Sequence, residues 1–316
     1  MDDFNKEMPF VNLTRCDNPE RNHAIAKLWS DDIANSVKHI RIPFSYQHLK
    51  ESKKITVAYM SGEFCNHPVA HLISGLFQYH NRDDFEVICY AYGKDDGSEY
   101  RKQIARDCDR FIDIKNLSYA EAAQRIHQDK VMILVELMGF TGADNRLAIC
   151  ALRPAPIQVS YLGFPGTTGA DFFDYIITDK IVSPPEHAKF YSEKLVYMPH
   201  SYQVNNNGQV ISDQPYCRKD FGLPHDAFVF CSFNQSYKIE PIMFDVWMRV
   251  MRQIPESVLW LSVRYPTAVA NLKKEAEARG INANRLIFAD KLALKEDYLA
   301  RLGFADLALD TLYYNG

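Results

Sequence analysis

The pattern of apolar and polar positions changes along the chain and predicts a helical segment followed by strands alternating with helices. Residues 1–50 carry apolar side chains at near-helical spacing, and Asn18-Pro19-Glu20 provides a helix start. From residue 55 onward, short apolar runs predict strands at 55–60, 85–92, 111–114, 131–137, 157–162, 175–178 and 195–198. Amphipathic stretches between them predict helices at 69–79, 100–108 and 119–129.

The second part of the chain repeats this alternation. Strands are predicted at 228–233, 258–263, 285–288 and 307–310, with helices at 241–252, 271–279 and 294–304. Strands that alternate with helices indicate βαβ units and parallel sheets, hence an α/β fold. Residues 205–218 are polar and rich in turn-forming residues, which predicts a linker there. The chain then divides into a lead-in (1–50), a first Rossmann-like domain (51–204), this linker and a second Rossmann-like domain (219–316). Two such domains usually form a ligand cleft at the carboxyl ends of their strands.

Composition narrows the class of protein. The 316 residues are 47% hydrophobic and 24% charged, which excludes a disordered chain, a collagen-like fibre and a membrane bundle. The formal net charge of −4 disfavours a nucleic-acid partner. Seven dispersed cysteines without a CxxC pair indicate reduced thiols. With a polar N-terminus and no apolar stretch of about 18 residues, the expected location is cytoplasmic, without a membrane partner.

The loop after the first strand, residues 61–68, carries a histidine and leads into a helix that carries another. Because ligands bind at the carboxyl edge of an open parallel sheet, His67 is a candidate general base or diphosphate contact. The spacing of His67 and His71 also suits a metal pair, although the glutamate of HExxH is replaced by Pro68. A purely structural histidine is the third interpretation, and the residues alone leave the three open.

Two further loops follow predicted strands. Residues 162–169 combine glycines, which allow close backbone approach, with threonine hydroxyls that could donate to a phosphate or sugar. A tight structural turn explains this loop equally well, since it matches neither a P-loop nor GxGxxG. Residues 233–238 place Lys238 before a helix, which predicts an anion site or merely a capped helix with a solvated lysine. For Arg153, which precedes a proline, an ion pair at a helix end is the favoured interpretation.

Ordered segments across residues 55–316 resemble the catalytic region of the O-linked N-acetylglucosamine transferase family, including its bacterial and SPINDLY-like members. The segments that carry this resemblance are AYMS with NHP (58–68), DDFEVICYAY (83–92), RIHQD (125–129), LRPAPIQ (152–158), YLGFPGT (161–167), DYIITD (174–179), YSEK (191–194), FNQSYKI (233–239) and LDT (309–311).

The resemblance implies a GT-B glycosyltransferase that inverts configuration, uses no metal or other cofactor, and moves N-acetylglucosamine from UDP-GlcNAc to Ser or Thr of protein acceptors. It implies that His67 is the active-site histidine and Lys238 neutralises the leaving diphosphate, while Glu63 stands where the family usually has aspartate. The remaining positions it assigns are the sugar-pocket residues Leu162, Gly163 and Pro165, the diphosphate-segment residues Gln235 and Tyr237, and the uridine-side residues Ala293, Lys295 and Tyr298.

The chain departs from the family at several positions. Tyr298 replaces a histidine common at the uridine face, and Met8-Pro9-Phe10 lacks a histidine found upstream in members. Family members continue after Asn-Gly or Asn-Ala with a His-Thr-Thr segment, and they carry upstream repeats that recruit acceptors, for which no 34-residue period is found here. We therefore expect an incomplete second domain, weak or no transfer by this chain alone, and a repeat domain or separate subunit for acceptor recruitment. The alternatives are a truncated, inactive homologue that binds a partner, and a nucleotide-sugar epimerase of the same architecture.

Overall fold

The computed structural model describes residues 7–40, 42–47, 49, 52–142 and 144–315. The chain separates into two compact units, unit one (Met1–Gly208) and unit two (Gln209–Gly316). The division falls within the stretch 205–218 that the sequence suggested as a linker. Positions 1–6, 41, 48 and 50 of the predicted helical lead-in lie outside the described residues.

Unit one is built on a seven-stranded sheet flanked by helices. Its helices are α1 (Pro9–Leu13), α2 (Pro19–Val37), α3 (Pro68–Ile73), α4 (Glu99–Asp107), α5 (Tyr119–Gln128) and α6 (Leu147–Ala151). Its strands are β1 (Ile55–Ser61), β2 (Phe85–Ala91), β3 (Arg110–Asp113), β4 (Ile133–Glu136), β5 (Ile157–Ser160), β6 (Tyr175–Thr178) and β7 (Lys194–Tyr197). The strand order is β3-β2-β1-β4-β5-β6-β7, and every pair is parallel.

The central strands of this sheet are buried on both faces, which explains why their sequences are continuous apolar runs. Alternate residues of β1 point into different cores: Ala58 and Met60 pack in one, and Val57 and Tyr59 in the other. The first core also receives side chains of α2, whose start is capped by Asn18. Because the strands are parallel, their carboxyl ends all lie at the same edge of the sheet. The loops after β1, β2, β4 and β5 therefore lie side by side at that edge.

Unit two has the same design on a smaller sheet. Its helices are α7 (Pro241–Gln253), α8 (Pro266–Ala278) and α9 (Lys295–Arg301), and its strands are β8 (Phe228–Ser232), β9 (Ser257–Leu261), β10 (Leu286–Phe288) and β11 (Leu307–Ala308). The strand order is β10-β9-β8-β11, again all parallel. The predicted α/β fold class with parallel sheets is thus confirmed.

Some predicted elements are wrong in extent. The helix predicted at 69–79 ends at Ile73, before Ser74 and Gly75, and the chain resumes as a 3₁₀ turn at Phe77–Tyr79. The helix predicted at 271–279 starts five residues earlier, at Pro266, because proline is favoured in the first turn. The strand predicted at 157–162 ends at Ser160, and Leu162 takes a left-handed φ of 69° that a strand does not accept. Helix α6 was missed because five residues are too few for a periodic pattern, whereas α1, equally short, lies in the predicted helical lead-in.

Candidate functional site

The histidine loop of unit one pairs its two candidate catalytic side chains. His67 is the residue before α3, and its Nδ1 lies 3.1 Å from Oε2 of Glu63 and 3.4 Å from the Val69 amide nitrogen. A neutral imidazole uses Nδ1 either to accept from Val69 or to carry the proton that faces Glu63. Because Oε2 of Glu63 is buried without another donor, we place the proton on Nδ1, which leaves a lone pair on Nε2. The His67 side chain is 40% exposed.

Hydrogen bonds from neighbouring elements fix this loop. The Asn66 amide donates to Asp96 at 2.7 Å, and the Arg101 guanidinium donates to the Phe64 carbonyl at 3.3 Å. His71 does not join His67: its Nε2 lies 2.8 Å from Oδ1 of Asn66 and its ring stacks on Tyr100. The structure thus uses His71 to hold the loop. Outside positions 1–6, 41, 48, 50, 51, 143 and 316, no three His, Cys, Asp or Glu residues gather in a metal-binding group.

The loop after β5 carries the predicted sugar-pocket residues Leu162, Gly163 and Pro165. It is tied to the end of β4, since the Gly163 amide donates to the Leu137 carbonyl at 3.1 Å. A Cβ on Gly163 would lie 2.2 Å from that carbonyl oxygen, so only glycine fits. The turn predicted as one interpretation of this loop is therefore present, and its backbone is held against the strand that also supports the histidine loop.

The threonines of the same loop support the structural interpretation of it. Thr167 Oγ1 donates to Oε2 of Glu193 at 2.7 Å, and the Thr168 amide donates to Oε1 at 2.7 Å. The Thr168 hydroxyl also bonds Glu193, which is only 3% exposed. Of the two interpretations of this loop, these contacts favour the tight structural turn, because Glu193 accepts from both hydroxyls.

The candidate diphosphate segment of unit two follows β8. The Lys238 ammonium donates to Asn234 Oδ1 at 3.3 Å and to the Asn315 carbonyl at 2.6 Å, and it lies 4.4 Å from the centre of the Tyr314 ring. Burial lowers the pKa of Lys238. Tyr237 is half exposed beside it. These neighbours hold the ammonium group at the carboxyl edge of the sheet, where the Asp310 carboxylate opposes the effect of burial and raises the pKa of Lys238.

The start of α7 is capped, as the second of the two interpretations of this segment expected, and is not an open anion site. Helix α7 begins at Pro241, and the Glu240 side chain accepts from the amides of Ile242 at 3.1 Å and Met243 at 3.3 Å. A carboxylate therefore already occupies the positive end of the helix dipole. The positive charge available to an anion here comes from side chains, Lys238 first among them.

Gln235 lies on the rim of a cavity of about 270 Å³. The cavity lies between the loops after β8 and β9, and its lining residues are Gln235, Ser236, Ser262, Val263, Arg264 and Tyr265. Amide, hydroxyl and guanidinium groups dominate this lining. The cavity therefore suits a polar ligand better than an apolar one.

The predicted uridine-side residues surround a buried arginine that the sequence reasoning missed. Tyr298 lies with its ring centre 4.8 Å from the Lys295 ammonium and 4.7 Å from the Arg301 guanidinium. Arg301 is 3% exposed, stacks on Phe233 at 4.6 Å and donates to the Asp290 carbonyl. Ala293, at the approach to α9, is exposed. The spacing of Tyr298 and Arg301, three residues apart on a helix, was the available signal.

A buried carboxyl group at the end of β4 was also missed. Glu136 is fully buried, and burial raises its pKa to about 7. Its oxygens accept from the amides of Met138 at 3.1 Å and Gly139 at 2.7 Å. In the sequence, a glutamate that ends a buried apolar run was the only indication of it.

The chain is similar to known proteins through both of its units. Its sequence matches glycosyl transferase family 41 over residues 18–215 and 207–316. It is 43% identical over 272 residues to a probable UDP-N-acetylglucosamine–peptide N-acetylglucosaminyltransferase, SEC, of Arabidopsis thaliana, covering 84% of this chain and 27% of the relative. It is 30% identical to the SPINDLY protein of the same plant, described by the same activity, covering 86% of this chain and 30% of that one. The chain therefore spans less than a third of these relatives.

A solved structure shows the same fold. The structure of a mutant O-GlcNAc transferase from Thermobaculum terrenum matches 97% of this chain with a TM-score of 0.85 and 28% sequence identity, and the match covers 57% of that protein. The two parallel-sheet units are thus those of a GT-B glycosyltransferase fold. Within the described part of the chain, no helix has both the length and the apolar character needed to cross a bilayer.

Proposed function

Because the chain belongs to glycosyl transferase family 41, we propose that it transfers N-acetylglucosamine from UDP-GlcNAc to Ser or Thr side chains of proteins. The observation that carries this proposal is the family match through both units, together with 43% identity to a relative described by that activity. The site geometry supports it with a carboxylate-paired histidine in unit one and a held ammonium group in unit two.

The proposed reaction is a single inverting displacement. The acceptor hydroxyl oxygen attacks the anomeric carbon from the face opposite the diphosphate, the carbon–oxygen bond to the diphosphate breaks, and UDP leaves with both bonding electrons. The hydroxyl proton passes to a base, and negative charge develops on the leaving phosphate. Catalysis therefore needs a base near the acceptor and positive charge near the diphosphate.

Unit two supplies the charge in this proposal. Lys238 would stabilise the leaving diphosphate, with Gln235 and Tyr237 on the same segment as further contacts. Its ammonium is already held by Asn234, so little ordering is needed when the anion arrives. Metal independence is proposed because this fixed ammonium group can do what a divalent cation does for other diphosphates.

The uridine is assigned to α9 and the residues before it. Ala293 would contact the base through its backbone, Lys295 would bind the ribose side, and the Tyr298 ring would stack on the base. The Tyr298 ring lies between two cationic groups, Lys295 and Arg301, which restricts its orientation.

Unit one supplies the base and the sugar-pocket loop. His67 would accept the proton through Nε2, and Glu63, facing Nδ1, would orient the ring and stabilise the imidazolium that forms. Leu162, Gly163 and Pro165 would line the sugar. Acceptor proteins are proposed to be recruited by a repeat domain or a separate subunit, which accords with relatives more than three times as long as the matched region.

Calorimetry and transfer assays test the proposal together. We expect the chain to bind UDP more tightly than GDP or ADP, and to favour UDP-GlcNAc among radiolabelled nucleotide sugars offered with a protein mixture. Lys238→Met should weaken UDP binding about tenfold, whereas Lys274→Met, at an exposed position on α8, should not. UDP binding without any transfer would favour an inactive, partner-binding homologue, and the absence of UDP binding would overturn the proposal.

A further inference from the structure

Glu136 is a buried carboxyl group at the centre of the candidate site of unit one. It ends β4, which lies beside β1 in the middle of the sheet, and it is 0% exposed. Its Oε1 accepts from the Met138 amide and lies 3.4 Å from the Tyr92 hydroxyl, and its Oε2 accepts from the Gly139 amide. The side chain therefore folds the chain after β4 into a tight turn over its own carboxyl group.

This turn supports both functional loops of the unit. The Leu137 carbonyl accepts from the Gly163 amide at 3.1 Å, which holds the loop after β5. On the other side, the Gly62 amide lies 3.1 Å from Sδ of Met138, beside Glu63. Gly139 has a φ of 52°, and a Cβ there would lie 2.5 Å from the Phe164 side chain. A change at Glu136 thus reaches the histidine loop and the sugar-pocket loop together.

We propose that Glu136 is a positioning residue for this site: its carboxyl group holds the turn that supports both the histidine loop and the sugar-pocket loop. Glu136 does not touch the substrate in this proposal. It acts through Met138 on the Gly62 backbone, next to Glu63, on one side and through Leu137 on the Gly163 backbone on the other.

The surroundings of Glu136 balance its charged and neutral forms. Burial raises the pKa of the carboxyl group to about 7, the Glu63 carboxylate raises the pKa further, and the two amide donors and Tyr92 lower it. From the other elements, Cys150 of α6 also faces the group, and Arg146 lies over the Tyr92 ring. Near neutral pH the carboxyl group therefore passes between neutral and ionised states, and each ionisation adds a negative charge that interacts with the Glu63 carboxylate.

The effect of pH on the two loops follows from the hydrogen bonds of this turn. An ionised Glu136 accepts more strongly from the Met138 and Gly139 amides than a neutral one does, so the turn and the loop backbones attached to it should respond to pH together. The inference rests on the proposed function only for its importance to catalysis, since the titration and the loop contacts can be measured without any substrate.

Nuclear magnetic resonance on the whole chain tests the charge directly. With ¹³C-labelled glutamate, the wild-type Glu136 carboxyl resonance should titrate with a midpoint of about pH 7. The amides of Gly62 and Gly163 should shift over the same pH range, whereas that of Gly97, on an exposed loop of the same unit, should not. A Glu136 midpoint below about pH 5, or loop amides that do not follow it, would overturn the proposal.

Substitutions test the hold on the two loops. In Glu136→Gln, the pH-dependent shifts of the Gly62 and Gly163 amides should disappear, whereas Glu193→Gln, which changes another buried carboxylate of this unit, should leave them in place. Glu136→Asp keeps a titratable carboxyl group and should retain part of these shifts. Amide shifts that persist unchanged in Glu136→Gln contradict the proposal, and if that variant does not fold, the wild-type titration decides alone.

The two proposals can fail separately. If Glu136 titrates as expected but the chain does not bind UDP, the proposed function is wrong and the positioning role stands. If the chain transfers sugar but the pH profiles of kcat for wild type and Glu136→Gln coincide and the loop amides are unmoved by pH, the positioning role is wrong.

Discussion

The two units hold their candidate functional groups by different means. In unit one, buried carboxyl groups accept hydrogen bonds from loop backbone and hydroxyls: Glu136 holds the turn after β4, and Glu193 holds the threonines after Gly163. In unit two, cationic side chains pack on aromatic rings, with Arg301 between Phe233 and Tyr298, and Lys238 over Tyr314.

This difference indicates a division of labour. Directional hydrogen bonds to a carboxylate fix backbone positions closely, which suits the proposed base and sugar-pocket loop. Cations on ring faces keep positive charge in place without a fixed bonding direction, which suits the proposed contact with a leaving diphosphate. Changes in unit one should then alter reaction rate more than nucleotide affinity, and changes in unit two should do the reverse.

The largest effect is expected at His67. If it is the general base, His67→Gln should lower kcat by about 10²–10⁴-fold, because the hydroxyl proton loses its acceptor. UDP affinity, measured by calorimetry, should stay within about twofold, as expected for an interaction made only in the transition state.

The exposed His39 offers a matched control, since His39→Gln changes the same side chain far from the loop in sequence. It should leave both kcat and UDP affinity unchanged. An equal loss of UDP affinity and of kcat in His67→Gln would contradict the expectation that unit one affects rate and unit two affects nucleotide affinity. It would indicate instead that His67 contacts the nucleotide.

The next effect is a pH dependence of stability that Glu136 creates. Its pKa is about 7 in the folded chain against an ordinary value of 4.5, so the folded state holds the proton longer than the unfolded state does. The contribution of Glu136 is thus most favourable below pH 4.5 and is lost as pH rises towards 7, by roughly 3 kcal/mol in all. The difference in free energy of urea unfolding between wild type and Glu136→Gln should show this slope, and a flat difference from pH 4.5 to 8 would contradict it.

A smaller loss of stability is expected at Glu193. Glu193→Ala leaves Thr167 and Thr168 buried without their acceptor, which should reduce the free energy of unfolding by about 2–3 kcal/mol. The exposed Glu186→Ala should change it by less than about 0.5 kcal/mol. Equal effects of the two variants in urea unfolding would mean that the carboxylate does not hold the loop.

The sequence predicted the architecture well because the architecture depends on local patterns. Apolar runs such as 228–233 and the alternation of strands with helices predict the α/β class, and the ordered segments indicate the family. The ends of elements that depend on a single turn were harder to predict from the sequence. The end of α3 at Ile73 depends on Ser74 and Gly75, and the end of β5 depends on the left-handed φ of Leu162.

Residues that act through tertiary contacts could not be predicted in the same way. The sequence left open whether Thr167 and Thr168 face a ligand or form a structural turn, because nothing local indicates that Glu193, more than twenty residues later, accepts from both. Likewise, Glu240 fills the start of α7, which the pattern alone had left open to an anion. The polar residues of a loop are visible in a sequence, but their partners depend on the packing of distant segments.

The smallest expected effect tests the aromatic side of the comparison, at Tyr298. If its ring stacks on uridine, Tyr298→Ala should weaken UDP binding about fivefold, corresponding to about 1 kcal/mol, while Tyr298→Phe keeps the ring and should bind within about twofold. Calorimetry with inorganic pyrophosphate provides the matched ligand, since it lacks the base. Loss of affinity for UDP but not for pyrophosphate would show that Tyr298 contacts the base. An equal loss for both ligands would mean that Tyr298 acts by holding Lys295 and Arg301, and that the aromatic rings of unit two only position cations.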